Sequence, residues 1–208
     1  MKKQSILVLV MMVFLAILCF GLPKAEATVF NDGGVHNIDE ATMDDYHVYD
    51  GPGGNPTTLN VLVDALIDYV IAYDHSQVNV LGGFFNGGLD LQDDSQANIS
   101  GISVVNMLEC YGNSHATITG GSTDPILAYE NSVITLVGSD FAIDGQDVDY
   151  GQYFAGDYSS GILTGTLAND YPHQSDFEIS DNASIILVPE PFTLLLLGLG
   201  AVMVRRKR

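Results

Sequence analysis

The chain has 208 residues, with 7 Lys and Arg against 26 Asp and Glu, a formal net charge of −19, two cysteines and no tryptophan. That length allows one domain of ordinary size, and 47% hydrophobic residues is enough to build a core. All seven cations sit at the ends, so the stretch from Thr28 to Val188 carries 24 acids and no Lys or Arg, a formal charge of −24. Such a body has nothing to neutralise phosphates, which excludes nucleic acid as a partner and disfavours polyanionic substrates.

Residues 1–27 read as a secretory signal: Lys2 and Lys3 form the positive start, Ile6 to Leu22 is apolar, and Ala25-Glu26-Ala27 is a small-x-small cleavage site for signal peptidase. The mature chain is then expected to begin at Thr28. Cys19 follows Leu18, where a lipobox requires a small residue, so lipidation is not expected. Cys110 becomes the only cysteine of the mature chain, and no intrachain disulfide is possible.

Residues 28–188 form the body, and its repeats run from about 56 to 138. Five segments align without gaps, beginning at Pro56, His75, Asp94, Asn113 and Asn131, at spacings of 19, 19, 19 and 18. Thr57, Ser76, Ser95, Ser114 and Ser132 form a hydroxyl column. Two apolar columns follow (Leu59, Val78, Ala97, Ala116, Ile134, then Val61, Val80, Ile99, Ile118, Leu136), with Asn60, Asn79, Asn98, Thr117 and Thr135 between them. Apolar-polar-apolar alternation ending in Gly82, Gly101, Gly120 and Gly138 is a short strand and a turn. A second strand is predicted before each of the last four copies, with Val70, Leu89, Leu108, Ile126 and Ala72, Leu91, Cys110, Ala128 pointing inward. A unit of about 19 residues buries its apolar face only by stacking on its neighbours. The expected fold is all-β: a right-handed parallel β-helix, or solenoid, of about 19 residues per coil, flanked by an N-terminal signal helix and a short C-terminal hydrophobic helix. A β-sandwich is the alternative packing. Residues 29–50 are expected to form a capping coil with Val35, Ile38, Val48 and Tyr49 inward. Residues 139–188 are expected to form a C-terminal cap that holds a polar loop, Gly145 to Gly161, and strands near 162–167 and 183–188.

Residues 189–208 have three parts in order: Pro189-Glu190-Pro191, an apolar run from Phe192 to Val204, and Arg205-Arg206-Lys207-Arg208. The run gives roughly 20 Å of helix, short of a ~30 Å hydrocarbon core. The basic cluster is expected to stay cytoplasmic. This ending resembles the PEP-CTERM sorting signal. The resemblance implies recognition by an exosortase-type processing enzyme, transient anchoring in the inner membrane of a Gram-negative-type bacterium, and delivery to the cell surface or matrix. The body also resembles PEP-CTERM proteins with tandem Asp/Asn-Ser-Gln-Val-Asn-Ile-Ser-Gly coils, closely at His75 to Gly82 and Asp94 to Gly101. That likeness implies architecture and destination, not chemistry.

Candidate sites follow from the columns. Hydrolysis of a polysaccharide needs two or three converging carboxylates, and Asp90, Glu109, Asp93, Asp94 and Glu130 recur near one corner. A solvated acidic stripe is the preferred reading of them, and no catalytic residue is assigned. Calcium is the one candidate cofactor, at Asp93 with Asp94 and at Asp140, Asp144, Asp147 and Asp149, since coils about 4.8 Å apart let carboxylates of one column share a hard cation. Tyr73, Tyr111 and Tyr129 fall in one outward column on adjacent coils, where an aromatic stripe can stack on sugar rings or simply on itself. The function expected is an exported structural or adhesive protein without catalysis, at the cell surface or in an exopolysaccharide matrix. A calcium- or glycan-binding module is the alternative, and a polysaccharide hydrolase a distant third.

Overall fold

The computed structural model describes residues 27–190, which contain no helix. The predicted signal helix with Ala25, the apolar C-terminal run, Pro191 and Arg205 to Arg208 lie outside the described residues; Ala27 is the first described residue, Pro189 closes the last strand and Glu190 follows it. In chain order the strands are β1 (Thr28–Phe30), β2 (Val35–Ile38), β3 (Asp45–Val48), β4 (Thr58–Val61), β5 (Leu66–Ala72), β6 (Gln77–Val80), β7 (Gly83–Leu91), β8 (Gln96–Ile99), β9 (Ser103–Val105) and β10 (Leu108–Cys110). They continue with β11 (His115–Ile118), β12 (Ser122–Thr123), β13 (Ile126–Ala128), β14 (Val133–Ile143), β15 (Gln146–Asp147), β16 (Gly151–Phe154), β17 (Ser160–Leu167), β18 (Pro172–Ile179) and β19 (Ser184–Pro189).

Parallel pairing between successive coils makes a β-solenoid of about six turns. On the first face β2, β4, β6, β8, β11, β14 and β19 pair in that order. Gln77 pairs with Gln96 and Gln96 with His115, two equal steps along the chain, and the next step, from His115 to Val133, is shorter by a single position. The columns read from the repeat are therefore real neighbours in space. Both apolar columns of this face are buried, Leu59 through Ile134 and Val61 through Leu136. Their alternation with polar residues puts every second side chain inward.

Each coil holds three strands rather than the two expected. The extra one is a short second face, made of the start of β5 and β7 followed by β9 and β12. Its inward column is Ile67, Phe85, Val105 and Thr123. Only two or three residues long, it changes chemistry from coil to coil, so no repeating pattern marks it. The third face stacks β1, β3, the end of β5, the end of β7, β10, β13 and β18. Its inward residues Val70, Leu89, Leu108, Ile126 and Ala72, Leu91, Cys110, Ala128 are fully buried, as expected.

The corner between the third face and the first turns through a left-handed residue in coil after coil: Asp74 (φ 58), Asp93 (φ 57), Gly112 (φ 66), Glu130 (φ 62) and Asp181 (φ 56). Asp and Gly tolerate that conformation, and a side-chain acceptor offsets part of its strain. The Asp93 carboxylate accepts from the Asp74 N–H at 3.3 Å, and Glu130 from the Gly112 N–H at 2.6 Å. Each carboxylate thus holds the corner one coil back.

The two ends differ. In the first coil Ile38 and Val48 are buried as expected, but Val35 is exposed, Tyr49 faces outward, and Tyr46 takes the inward position. At the other end one turn of the solenoid, from Val133 to its register partner Ser184, is far longer than the repeat. The excess folds as antiparallel strands: β17 pairs with both β14 and β18, and β16 lies along β19. The expected polar loop therefore contains strand β16, and β18 is a strand with alternate residues His173, Ser175, Phe177 and Ile179 inward. Ile143, Leu163, Phe177, Ile179, Ile185 and Leu187 close the core beneath this cap.

Candidate functional site

The outer side of the third face collects the most distinctive chemistry. Because Ala72, Leu91, Cys110 and Ala128 point inward in register, the residues beside them form outward columns. Ile71, Asp90, Glu109 and Leu127 make one column. Tyr73, Gln92, Tyr111 and Tyr129 make the next, and their N–H groups bond to the carbonyls of Val48, Ala72, Leu91 and Cys110 one coil back.

The tyrosine column is not the unbroken stripe expected from sequence. Gln92 occupies the position between Tyr73 and Tyr111, so the rings form two separate stacks. Tyr49 and Tyr73 lie 4.4 Å apart and parallel to within 1°, and Tyr111 and Tyr129 lie 4.9 Å apart at 22°. These separations match the coil spacing of about 4.8 Å, so the rings are piled along the solenoid axis. One face of Tyr73 and one face of Tyr111 consequently look toward the coil of Gln92 from opposite sides.

Asp90 and Glu109 are direct register partners beside this gap. Glu109 accepts the hydroxyl of Tyr69 on Oε2 at 3.3 Å and that of Tyr111 on Oε1 at 3.4 Å. Tyr69 reaches two coils across to do so because its ring lies over Gly87, where a Cβ would come within 2.6 Å of the ring carbon Cδ2. Gln92 donates its side-chain amide to Asp90, two positions back, at 2.7 Å, just as Tyr111 reaches Glu109 one coil on. Half-burial pushes the Asp90 carboxyl up to about 6; Glu109 adds to the rise and the Gln92 amide opposes it. Burial, then the charge of Glu109, raises the Tyr111 hydroxyl to about 12 and moves Tyr69 the same way. The arrangement gathers tyrosine hydroxyls, two carboxyl groups and an amide on one surface.

The calcium candidates are dispersed. Asp93 holds the Asp74 corner, while Asp94 accepts from Asn113 at 3.1 Å. Asp144 is part of the β14–β15 hairpin turn and accepts the Ile162 N–H at 2.9 Å. Asp140 and Asp147 line one recess with Phe141, Val148 and Tyr150. Asp149 bonds Tyr153 through its backbone carbonyl. Among the described residues no three His, Cys, Asp or Glu side chains are grouped as a metal site.

Sequence reading missed Tyr49, Tyr69 and Gln92. Gln92 was legible, standing one full repeat from both Tyr73 and Tyr111. Tyr49 was not, because the step from it to Tyr73 is longer than the repeat and breaks the period. Comparison with known proteins finds no matching family model, no similar curated protein and no similar solved structure.

Proposed function

We propose that this chain is an exported, exosortase-sorted protein of the cell surface or exopolysaccharide matrix, with a right-handed solenoid body that serves as a non-catalytic adhesive scaffold. The tripartite tail from Pro189 to Arg208 and the signal ending at Ala27 support the destination. Right-handed winding follows the general preference of parallel β crossovers. One observation carries the adhesive role: paired tyrosine stacks flank the Asp90–Glu109 couple on an otherwise regular face. Aromatic faces beside hydrogen-bonding carboxyl groups suit the apolar and hydroxylated sides of sugar rings.

Fractionating the cells that express the protein, with mass measurement of both mature termini, tests the destination. A surface fraction beginning at Thr28 and lacking Arg205 to Arg208 is the expected result. An intact chain in the cytoplasm would end the proposal. Calcium is a second reading, favoured by the recess that Asp140 and Asp147 share. Millimolar calcium should then raise the melting temperature beyond the effect of matched ionic strength.

A further inference from the structure

We infer that the apolar segment from Phe192 to Val204 docks, within its own chain, on the outer side of the second face, with Arg205 to Arg208 reaching the acids of the first coil. The inference goes beyond the sorting role proposed above and concerns the chain before its tail is processed. That side of the solenoid carries an apolar strip. Ile102 is 76% exposed and Val63 70%, and Leu81 and Phe84 are exposed beside them. Phe84 pairs in register with Leu66 of one neighbouring coil and Val104 of the other, both half-buried, so the strip crosses three coils. It is also the uncharged side of these coils. From His75 to Thr123 the only acids are Asp90, Asp93, Asp94 and Glu109, which belong to the third face and the corner after it. A contiguous apolar strip on a body this acidic marks a surface that something covers.

Position, length and charge select the tail as the cover. The last strand leaves the solenoid at the corner that borders the strip: Leu187 is the register partner of Leu136, and Ile118, Ile99, Val80 and Val61 continue that column. Pro189, two residues on, therefore shares its corner with Gly101, Gly82 and Val63 of earlier coils. Five coils separate Leu187 from Val61, about 24 Å, and Ile38 lies one coil farther, about 29 Å. The three steps from Pro189 to Phe192 span at most roughly 10 Å, enough to pass Asn169, which sits against Gly120 and donates to the Gly101 carbonyl. Thirteen residues of helix add roughly 20 Å, past Ile102, Phe84 and Val63. The run then ends in four cations where Asp39 and Glu40, directly after Ile38, and Asp64, directly after Val63, are exposed. Unlike charges meet there, and the strip itself offers the basic end no earlier partner. The signal segment has no such fit, since Thr28 opens β1 on the third face. Docking also takes from water an apolar run too short to span a bilayer.

Thiol labelling in detergent-free solution tests the cover, on the chain from Thr28 to Arg208 that signal removal leaves. Its one native cysteine, Cys110, is buried. Ile102→Cys therefore reports the strip, and Thr117→Cys, on the outer side of the first face, is the control. Ile102→Cys should label at least tenfold more slowly than in the same chain ended at Glu190, whereas Thr117→Cys labels equally in both. Val63→Cys takes its place if that variant misfolds. Carbodiimide coupling of Lys207, the only lysine left, should join it to Asp39, Glu40 or Asp64 of the same chain. Equal labelling with and without the tail would overturn the docking, as would aggregation of the tailed chain in the absence of detergent. Protection lost on hundredfold dilution would assign the strip to a second copy, and coupling of Lys207 to the third-face acids would put the tail elsewhere. Either result overturns the proposal.

Discussion

Asn79 donates from its side-chain amide to the side-chain oxygen of Asn60, one coil away, at 2.9 Å, and accepts in the same way from Asn98 at 3.1 Å. Asn60 passes the pattern on to Asn37 at 2.8 Å, so four coils of the first face are joined by one directional row of amides. Replacing Asn79 by Ala removes two bonds from the middle of the row. A loss of about 1–2 kcal/mol is expected in urea unfolding. Asn98→Ala, at the end of the row, removes one bond and should cost about half as much.

The buried hydroxyl column should divide into two behaviours. Ser76 donates to the Val48 carbonyl at 3.2 Å and Ser132 accepts the Tyr129 N–H at 3.1 Å, whereas the fully buried Ser95 hydroxyl has no partner. Ser76→Ala and Ser132→Ala should each destabilise by about 1 kcal/mol, while Ser95→Ala should be neutral or stabilise by about 1 kcal/mol. Equal losses in all three would show that Ser95 is satisfied.

Gly112 occupies the left-handed corner where other coils use Asp or Glu, and a Cβ there would approach the Asp93 carbonyl oxygen at 2.7 Å. Gly112→Ala adds that contact to the left-handed backbone penalty. A loss of roughly 2 kcal/mol is expected, read from thermal or urea unfolding. Gly112→Asn should lose less, because Asn tolerates this conformation better.

Two groups give stability opposite pH dependences. His173 is buried with neither ring nitrogen hydrogen-bonded, and burial holds it down to about 4 from 6.5, with Asp124 opposing. Folding therefore favours the neutral ring. Its contribution is complete above pH 6.5 and is lost as pH falls toward 4, on the order of 3 kcal/mol. Asp90, raised from 3.8 to about 6, has the reverse sign: its contribution is present below pH 3.8 and disappears as pH rises through 6. Urea midpoints measured between pH 4 and 7 should show less acid loss in His173→Leu and more in Asp90→Asn than in the parent. A parallel pH curve for His173→Leu would contradict the buried neutral ring.

The first and third faces were legible because their inward positions recur at a constant step with constant chemistry, as from Val78 to Ala97 to Ala116. The second face was not, since Ile67, Phe85, Val105 and Thr123 share neither size nor polarity. Neither was the cap, where antiparallel hairpins replace stacking and the period has no meaning. At the candidate site the two carboxylates and Tyr111 could be read from the columns. Tyr69 could not, because its bond to Glu109 joins positions two coils apart and depends on the bare backbone of Gly87.

The left-handed corners also govern how the length of this protein can vary in evolution. A tract of one whole repeat, removed or duplicated between Asp74 and Asp93, carries one corner, one amide of the row and one rung of each face with it. The molecule would then grow or shrink by one floor, like a stair losing a step, and every surviving ladder would still meet its neighbour. A change of another size keeps the columns only where it falls outside the strands, as the shorter step from His115 to Val133 does; inside a strand an odd change would turn outward-facing residues into the wall. Relatives of unequal length should therefore differ in the middle by whole floors, with the cap strands β16 and β17 retained at the closed end.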